Sequence, residues 1–285
     1  MSVIVCDPDN LKTTVITNPL ATREEINKTK AMNQFRAYLR TLCEAGIDVF
    51  RSSSETLNRE KRSYDLTYAA NWGAFVPLPL PQPIFVLSCM ASHHRRSEAS
   101  LIKPFLESLG IIVIDLPASR FAIFEGQADV RVSHGGKHVW LTHGIRTNME
   151  GARAFASVVS HFAKKFKKSM PTFHYLRMVK PEYYHGDLCL FIDGNRCIVR
   201  PTAFSTPSAR ELERIFDSGL HIFDNDEEPF ALNAYKHGKH LFVRPISEKT
   251  RQMFVRVFHC RHIHQINVSE IEKGGGSIGC LTLFI

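Results

Sequence analysis

A pattern of hairpin, helix and strand recurs along this 285-residue chain, and it limits the fold more than any single motif does. In one copy, residues 130–133 and 138–142 flank Gly135-Gly136, Thr147-x-x-Glu150 opens a helix to about Lys168, and residues 173–179 read as a strand. In the next, residues 188–192 and 197–200 flank Asp193-Gly194-Asn195, a strong hairpin signal. Ser208-x-x-Glu211 caps its helix, Gly219 stops it, and a strand follows at 221–224. A third copy uses 230–235, 241–244, a helix after Ser247 and 263–268; a fourth uses 74–76, 84–88, a helix around 97–109 interrupted by Pro104, and 111–114. The fifth is split between the chain ends: strand 281–285, then strand 3–6, a helix from Thr22-x-x-Glu25 to Gly46, and Val49-Phe50. Three capping boxes at corresponding places argue for repetition over coincidence. A copy assembled from both ends implies a closed ring, and with no linker or low-complexity segment the reading is one α/β domain over residues 1–285.

Chemistry concentrates at the C-terminus. Gly274-Gly275-Gly276-Ser277-Ile278-Gly279 delivers Cys280 to a short apolar strand, Leu281 to Ile285. A glycine run lets the backbone adopt positive φ and pass close to a bulky neighbour. A structural cysteine needs no such loop, whereas a thiolate that must meet a substrate does. The alternative, a flexible tail around a small core residue, fits poorly with an apolar ending. Among fourteen histidines, His185 in Tyr184-His185-Gly186-Asp187 enters an apolar run two residues before Asp187, so both side chains are expected on one face. That arrangement supplies a proton acceptor and a fixed negative charge, although a solvated turn would look the same. Phe124-Glu125-Gly126-Gln127-Ala128-Asp129 is a second carboxylate-bearing turn, and Tyr64-Asp65-Leu66-Thr67-Tyr68-Ala69-Ala70-Asn71 a further polar one. Several carboxylates with one nucleophilic Cys and one His suit a cationic, carbon-centred electrophile, such as a protonated guanidinium.

These motifs, with Val15-Ile16-Thr17-Asn18-Pro19 and Gly144-Ile145-Arg146-Thr147, resemble the guanidino-group-modifying superfamily nearly end to end. That superfamily contains arginine deiminases, dimethylarginine dimethylaminohydrolases, arginine dihydrolases and amidinotransferases. The chain looks most similar to bacterial arginine dihydrolases and dimethylargininase-like hydrolases. The resemblance implies a five-bladed α/β propeller of ββαβ units with its active site in the central channel, and no metal, nucleotide or organic cofactor. It implies Cys280 as nucleophile and His185 as acid then base, with Glu125 and Asp187 gripping the guanidinium. Arg146 would pair with a substrate carboxylate, and Asn71, Asp65, Asp129 and Asn18 would complete the substrate site. Two departures stand out. Asn71 replaces the Asp usual in deiminases and dimethylaminohydrolases, as in dihydrolases, and Cys89 stands where relatives usually place a carboxylate-binding Arg, with Arg95 a candidate replacement. Alternatives within the resemblance are a citrulline-forming hydrolase, an amidinotransferase and a non-catalytic binding propeller.

Charge and cysteine usage narrow the partners. The net charge of +8 gathers in Lys164, Lys165, Lys167 and Lys168 and in His93-His94-Arg95-Arg96, without the interleaved aromatics or motif of a nucleic-acid surface. Solvated faces are the expected reading. The run His259-Cys260-Arg261-His262-Ile263-His264 lacks a second ligand pair at zinc spacing. Seven cysteines without a signal peptide point to a reducing, cytoplasmic setting, and Pro77, Pro79, Pro81 and Pro83 break the longest apolar stretch, so no membrane helix is expected. The oligomeric state is not encoded legibly.

Overall fold

Among the described residues, five three-stranded sheets share one layout: an antiparallel hairpin whose second strand pairs in parallel with a third. The computed structural model describes residues 2–16, 18–57 and 63–285, so Thr17 of the Val15 to Pro19 motif lies outside the described residues. The sheets fall into two compact units, Asn71–Asp224 and Met1–Ala70 with Asn225–Ile285.

The unit Asn71–Asp224 holds three sheets: Gly73–Phe75, Ile84–Leu87, Ile112–Ile114; Val130–Ser133, His138–His143, Thr172–Arg177; and Leu190–Asp193, Arg196–Val199, Leu220–Ile222. Each middle strand is an apolar run covered on both faces, as expected where helices cover a parallel pairing. The helix Met149–Lys165 turns Ala152, Phe155, Ala156, Val159 and Ala163 inward at the spacing of one helical face. Phe155 stacks on Phe124 with ring centroids 4.9 Å apart, anchoring the backbone immediately before Glu125. Antiparallel bridging of Cys89 and Phe124 through two 2.9 Å backbone hydrogen bonds holds the other side of that segment.

The unit Met1–Ala70 with Asn225–Ile285 contains the sheet Tyr235–His237, His240–Val243, His262–Gln265 and the split fifth sheet. In the latter, Ser2–Cys6 pairs antiparallel with Leu283–Phe284 and parallel with Asp48–Ser52, so the chain ends meet as the repeat required. The helix Lys28–Glu44 buries Ala31, Phe35, Tyr38 and Leu42. The Tyr38 hydroxyl shares a 2.5 Å hydrogen bond with Thr282 Oγ1, and burial raises the Tyr38 pKa.

Several local expectations need correction. The capping boxes at Thr22, Thr147 and Ser208 do not start their helices. Those helices begin at Lys28, Met149 and Thr206; Asn27 accepts from Lys30 N and Asn148 from Gly151 N. Thr147 and Ser208 are used elsewhere, Ser208 Oγ accepting from Arg177 N at 2.8 Å. Ser247 does cap its helix. Residues 230–233 form turns rather than a strand, which starts at Tyr235. Cys280 lies in the short helix Ile278–Leu281, one turn before the strand expected to begin at it. Among the described residues, no helix is long and apolar enough to cross a membrane.

Phe155→Ala removes the fully buried ring that backs Phe124. It should cost about 3–5 kcal/mol of stability, read as a lowered urea midpoint.

Candidate active site

Within Asn71–Asp224, a buried polar cluster forms where the turns before the hairpins carry Glu125, Asp129 and His185. Gly126 permits the first turn: its φ is +74°, and a Cβ there would sit 2.4 Å from the Gly73 carbonyl oxygen. The 3-10 turn Gly126–Asp129 then sets Asp129 at the head of Val130–Ser133, while His185 precedes a corresponding turn at Gly186–Leu188.

His185 lies between two carboxylates. Its Nδ1 is 2.9 Å from Asp129 Oδ2 and its Nε2 is 3.1 Å from Glu125 Oε2. All three residues are nearly or fully buried. Asp129 is fixed by Thr142 Oγ1 (2.7 Å), Thr147 Oγ1 (2.6 Å) and Gly186 N (2.9 Å), all donating to its carboxylate. Glu125 accepts from Ala91 N at 3.0 Å and from Arg146 Nη1, which is 3.1 Å from each oxygen. Burial alone would lower the His185 pKa, but the charge and hydrogen bonds of Asp129 and Glu125 outweigh it and raise it to about 9. Burial opposes ionisation of Glu125 and Asp129 as well. The hydrogen bond from His185 and the Arg146 charge hold Glu125 well below the usual carboxylate range, and the His185 charge and hydrogen bond lower Asp129. Two carboxylates, one imidazolium and one guanidinium thus form a buried group without net charge.

Asn71 borders this group. Its Nδ2 donates to the Glu125 carbonyl at 3.4 Å and lies 3.4 Å from His185 Nε2, while its Oδ1 accepts from Arg95 Nη1 at 3.2 Å. Arg95 is buried and bidentate with Glu98, through Nε at 2.9 Å and Nη2 at 2.8 Å. The expectation of a solvated basic face therefore fails at Arg95, whose aliphatic stem and fork are enclosed with a carboxylate. Arg146 is likewise turned toward Glu125 and lies 5.5 Å from the Tyr184 ring.

Sequence proximity misplaced one pairing. His185 and Asp187 were expected to share a strand face, but the turn Gly186–Leu188 intervenes and the histidine's carboxylate partners are Asp129 and Glu125. Asp187 is buried beside Cys189. Burial pushes that thiol's pKa far up, and the negative charges of Asp187 and Asp129 add to the rise.

In the unit Met1–Ala70 with Asn225–Ile285, the glycine run carries Cys280 into the helix Ile278–Leu281, where it is 2% exposed. Gly275 has φ +96°, and a Cβ on it would meet the Asn18 side chain at 2.2 Å. Asn18 donates to Gly274 O at 3.2 Å and accepts from Leu20 N and Ala21 N, so it supports this loop. Asp65 is buried in the turn that leads to Tyr68, its carbonyl accepting from Tyr68 N at 3.0 Å. The sequence reading missed Asn233, which is fully buried and donates from Nδ2 to Cys280 Sγ at 3.2 Å. No local signal marks it, because 47 residues separate it from the cysteine. Thr142, 13 residues from Asp129, was missed for the same reason, and Glu98 was missed although it lies only three residues from Arg95.

Comparison with known proteins agrees with the motifs. A family description of eukaryotic N,N dimethylarginine dimethylhydrolases matches residues 4–285. An N(G),N(G)-dimethylarginine dimethylaminohydrolase of Mycobacterium tuberculosis is 27% identical over 78% of this chain and 66% of its own length. The bifunctional arginine dihydrolase/ornithine cyclodeaminase ArgZ of Synechocystis is 23% identical over 99% of the chain and 37% of its own. The chain therefore spans less than two thirds of both relatives. In fold it is similar to the N-terminal domain of cyanobacterial ArgZ solved with product, with TM-score 0.81, 22% identity, and 99% and 96% of the two chains covered. A dimethylarginine dimethylaminohydrolase adduct with S-methyl-L-thiocitrulline superposes with TM-score 0.76 at 18% identity, covering 99% and 98%.

The His185 cluster ties stability to alkaline pH. The folded-state value of about 9 lies above the ordinary 6.5, so the stabilisation is fully present below pH 6.5 and is lost as pH rises through about 9. Unfolding free energy should fall across that window by roughly 3 kcal/mol. His185→Gln should flatten this slope, as followed by urea unfolding at stepped pH.

Proposed function

Because the chain belongs to the eukaryotic N,N dimethylarginine dimethylhydrolase family, we propose that it hydrolyses a C–N bond of a guanidino compound through a covalent amidino-cysteine on Cys280. The observation that carries this reading is the buried His185 held between Asp129 and Glu125 and kept proton-loaded at neutral pH. A guanidinium is resonance-stabilised and a poor target for water, so a stronger nucleophile and a ready acid are both needed. Cys280 Sγ bonds to the guanidinium carbon, and the departing amine leaves with the proton of His185. Neutral His185 then takes a proton from water, whose oxygen attacks the same carbon. The thiolate is expelled, leaving a ureido product and His185 recharged.

Carboxylates position the cation. Glu125 already accepts a guanidinium N–H from Arg146, which supports its assignment to substrate binding; Asp187 is assigned the same role from the resemblance. Arg146 is assigned to the substrate's acidic end, with Asp129, Asp65 and Asn18 as supports around the reacting groups. The repeat order, with one sheet drawn from both chain ends, supports the five-bladed α/β propeller expected from the sequence, as one domain of residues 1–285.

A second round is favoured by Asn71. Its Oδ1 is committed to Arg95, leaving Nδ2 as a donor toward the Glu125 carbonyl. An amide donor can hold a neutral ureido oxygen, which an aspartate would repel. Arginine would then give ornithine, carbon dioxide and two ammonias.

Product analysis on arginine, agmatine, methylated arginines and succinylarginine tests this reading. Turnover without any acceptor amine is expected, and a strict need for one would make the chain an amidinotransferase. Cys280→Ser should lower kcat at least about 10³-fold with the fold intact, and full activity in it would remove the covalent mechanism. Asn71→Asp should shift products from the amine toward the ureido compound; an unmodified protein that already stops at the ureido compound contradicts the second round.

A further inference from the structure

Asn233 lies on the turn 230–234, outside every motif that marked the chain's chemistry, yet it makes four hydrogen bonds to the nucleophile loop. Its Nδ2 donates to Cys280 Sγ at 3.2 Å. Its Oδ1 accepts from Cys280 N at 3.1 Å and from Ser277 N at 3.2 Å, and its carbonyl accepts from Gly279 N at 3.0 Å. The residue is fully buried, and Gly279 packs so closely that a Cβ there would sit 3.1 Å from the Asn233 carbonyl carbon.

This arrangement exceeds what the short helix Ile278–Leu281 needs for a start. One side-chain oxygen already satisfies two backbone donors of its first turn, which is the work of a cap. The amide nitrogen could have pointed at any nearby carbonyl. It points at sulfur, a weak acceptor when protonated and a good one as the thiolate. We infer that Asn233 is the positioning residue of the nucleophile, its oxygen fixing the backbone of Cys280 while its Nδ2–H holds the sulfur as an anion in one orientation. The inference rests on Cys280 being the nucleophile. A donor on sulfur favours the charged form, and in a buried setting one such bond outweighs its counterpart in water.

Asn233→Asp separates the two roles, because it keeps both acceptor bonds and replaces the donor by a negative oxygen facing sulfur. Ultraviolet thiolate absorbance of the full chain, minus that of Cys280→Ser, isolates Cys280 across pH without any guanidine present. The half-titration point should rise by about one pH unit or more in Asn233→Asp. On the best guanidino substrate kcat should fall about tenfold or more, with KM little changed. Should Asn233→Asp fail to fold, as judged by circular dichroism, Asn233→Ser takes its place; its shorter hydroxyl falls short of sulfur and should produce the same upward shift. A folded variant whose thiolate titration superimposes on that of the unaltered protein overturns the inference. The readout stands apart from turnover: a protein inactive on every guanidine, yet showing the shift, would contradict the proposed reaction and leave the Asn233 role intact.

Discussion

The buried ion group built on His185 is the constraint on which the unit Asn71–Asp224 depends. Each member is unfavourable alone: a carboxylate or imidazolium taken out of water loses several kcal/mol of hydration. Together, Asp129, Glu125, His185 and Arg146 balance their charges, and the backbone and hydroxyl donors around them satisfy the carboxylate oxygens. Breaking one pair would strand a charge in the core, so geometry and ionisation are locked together. That lock explains why two separate turns of one unit, one carrying Glu125 and Asp129 and the other His185, each before a short strand, meet at a single histidine.

Around Cys280 a neutral scaffold is used instead. The donors and acceptors of Asn233 and the close backbone passages at Gly275 and Gly279 define its place. Side chains larger than hydrogen at these glycines would strike Asn18 or Asn233, which accounts for the glycine run without invoking flexibility. The His185 group is thus organised by charge, and Cys280 by packing and amide hydrogen bonds. In the proposed reaction this division suits a histidine that changes charge twice per cycle and a sulfur that must keep one orientation.

Much of the fold was legible because its middle strands are unbroken apolar runs framed by Gly-containing hairpin turns, and because the termini each carry an apolar piece that is incomplete alone. The helix starts were less legible. Asn27 and Asn148 lie near hydroxyl residues with equally good capping patterns, and Thr147 is drawn away by Asp129, a contact that sequence spacing does not record. The site divided in the same way. Glu125, His185 and Cys280 stood out through their glycine-bearing turns, whereas Asn233 and Thr142 act across the fold with no local signature. The expected pairing of His185 with Asp187 failed because alternation along a strand does not apply through a 3-10 turn.

The charge state of His185 is the point at which the account is most exposed. Nitrogen NMR of the histidine side chains, with His185→Gln to assign the resonance, reads that state directly. The account predicts that both ring nitrogens carry protons at pH 7 and that the resonance titrates at about 9. A neutral ring at pH 7, titrating at or below the ordinary 6.5, would contradict it.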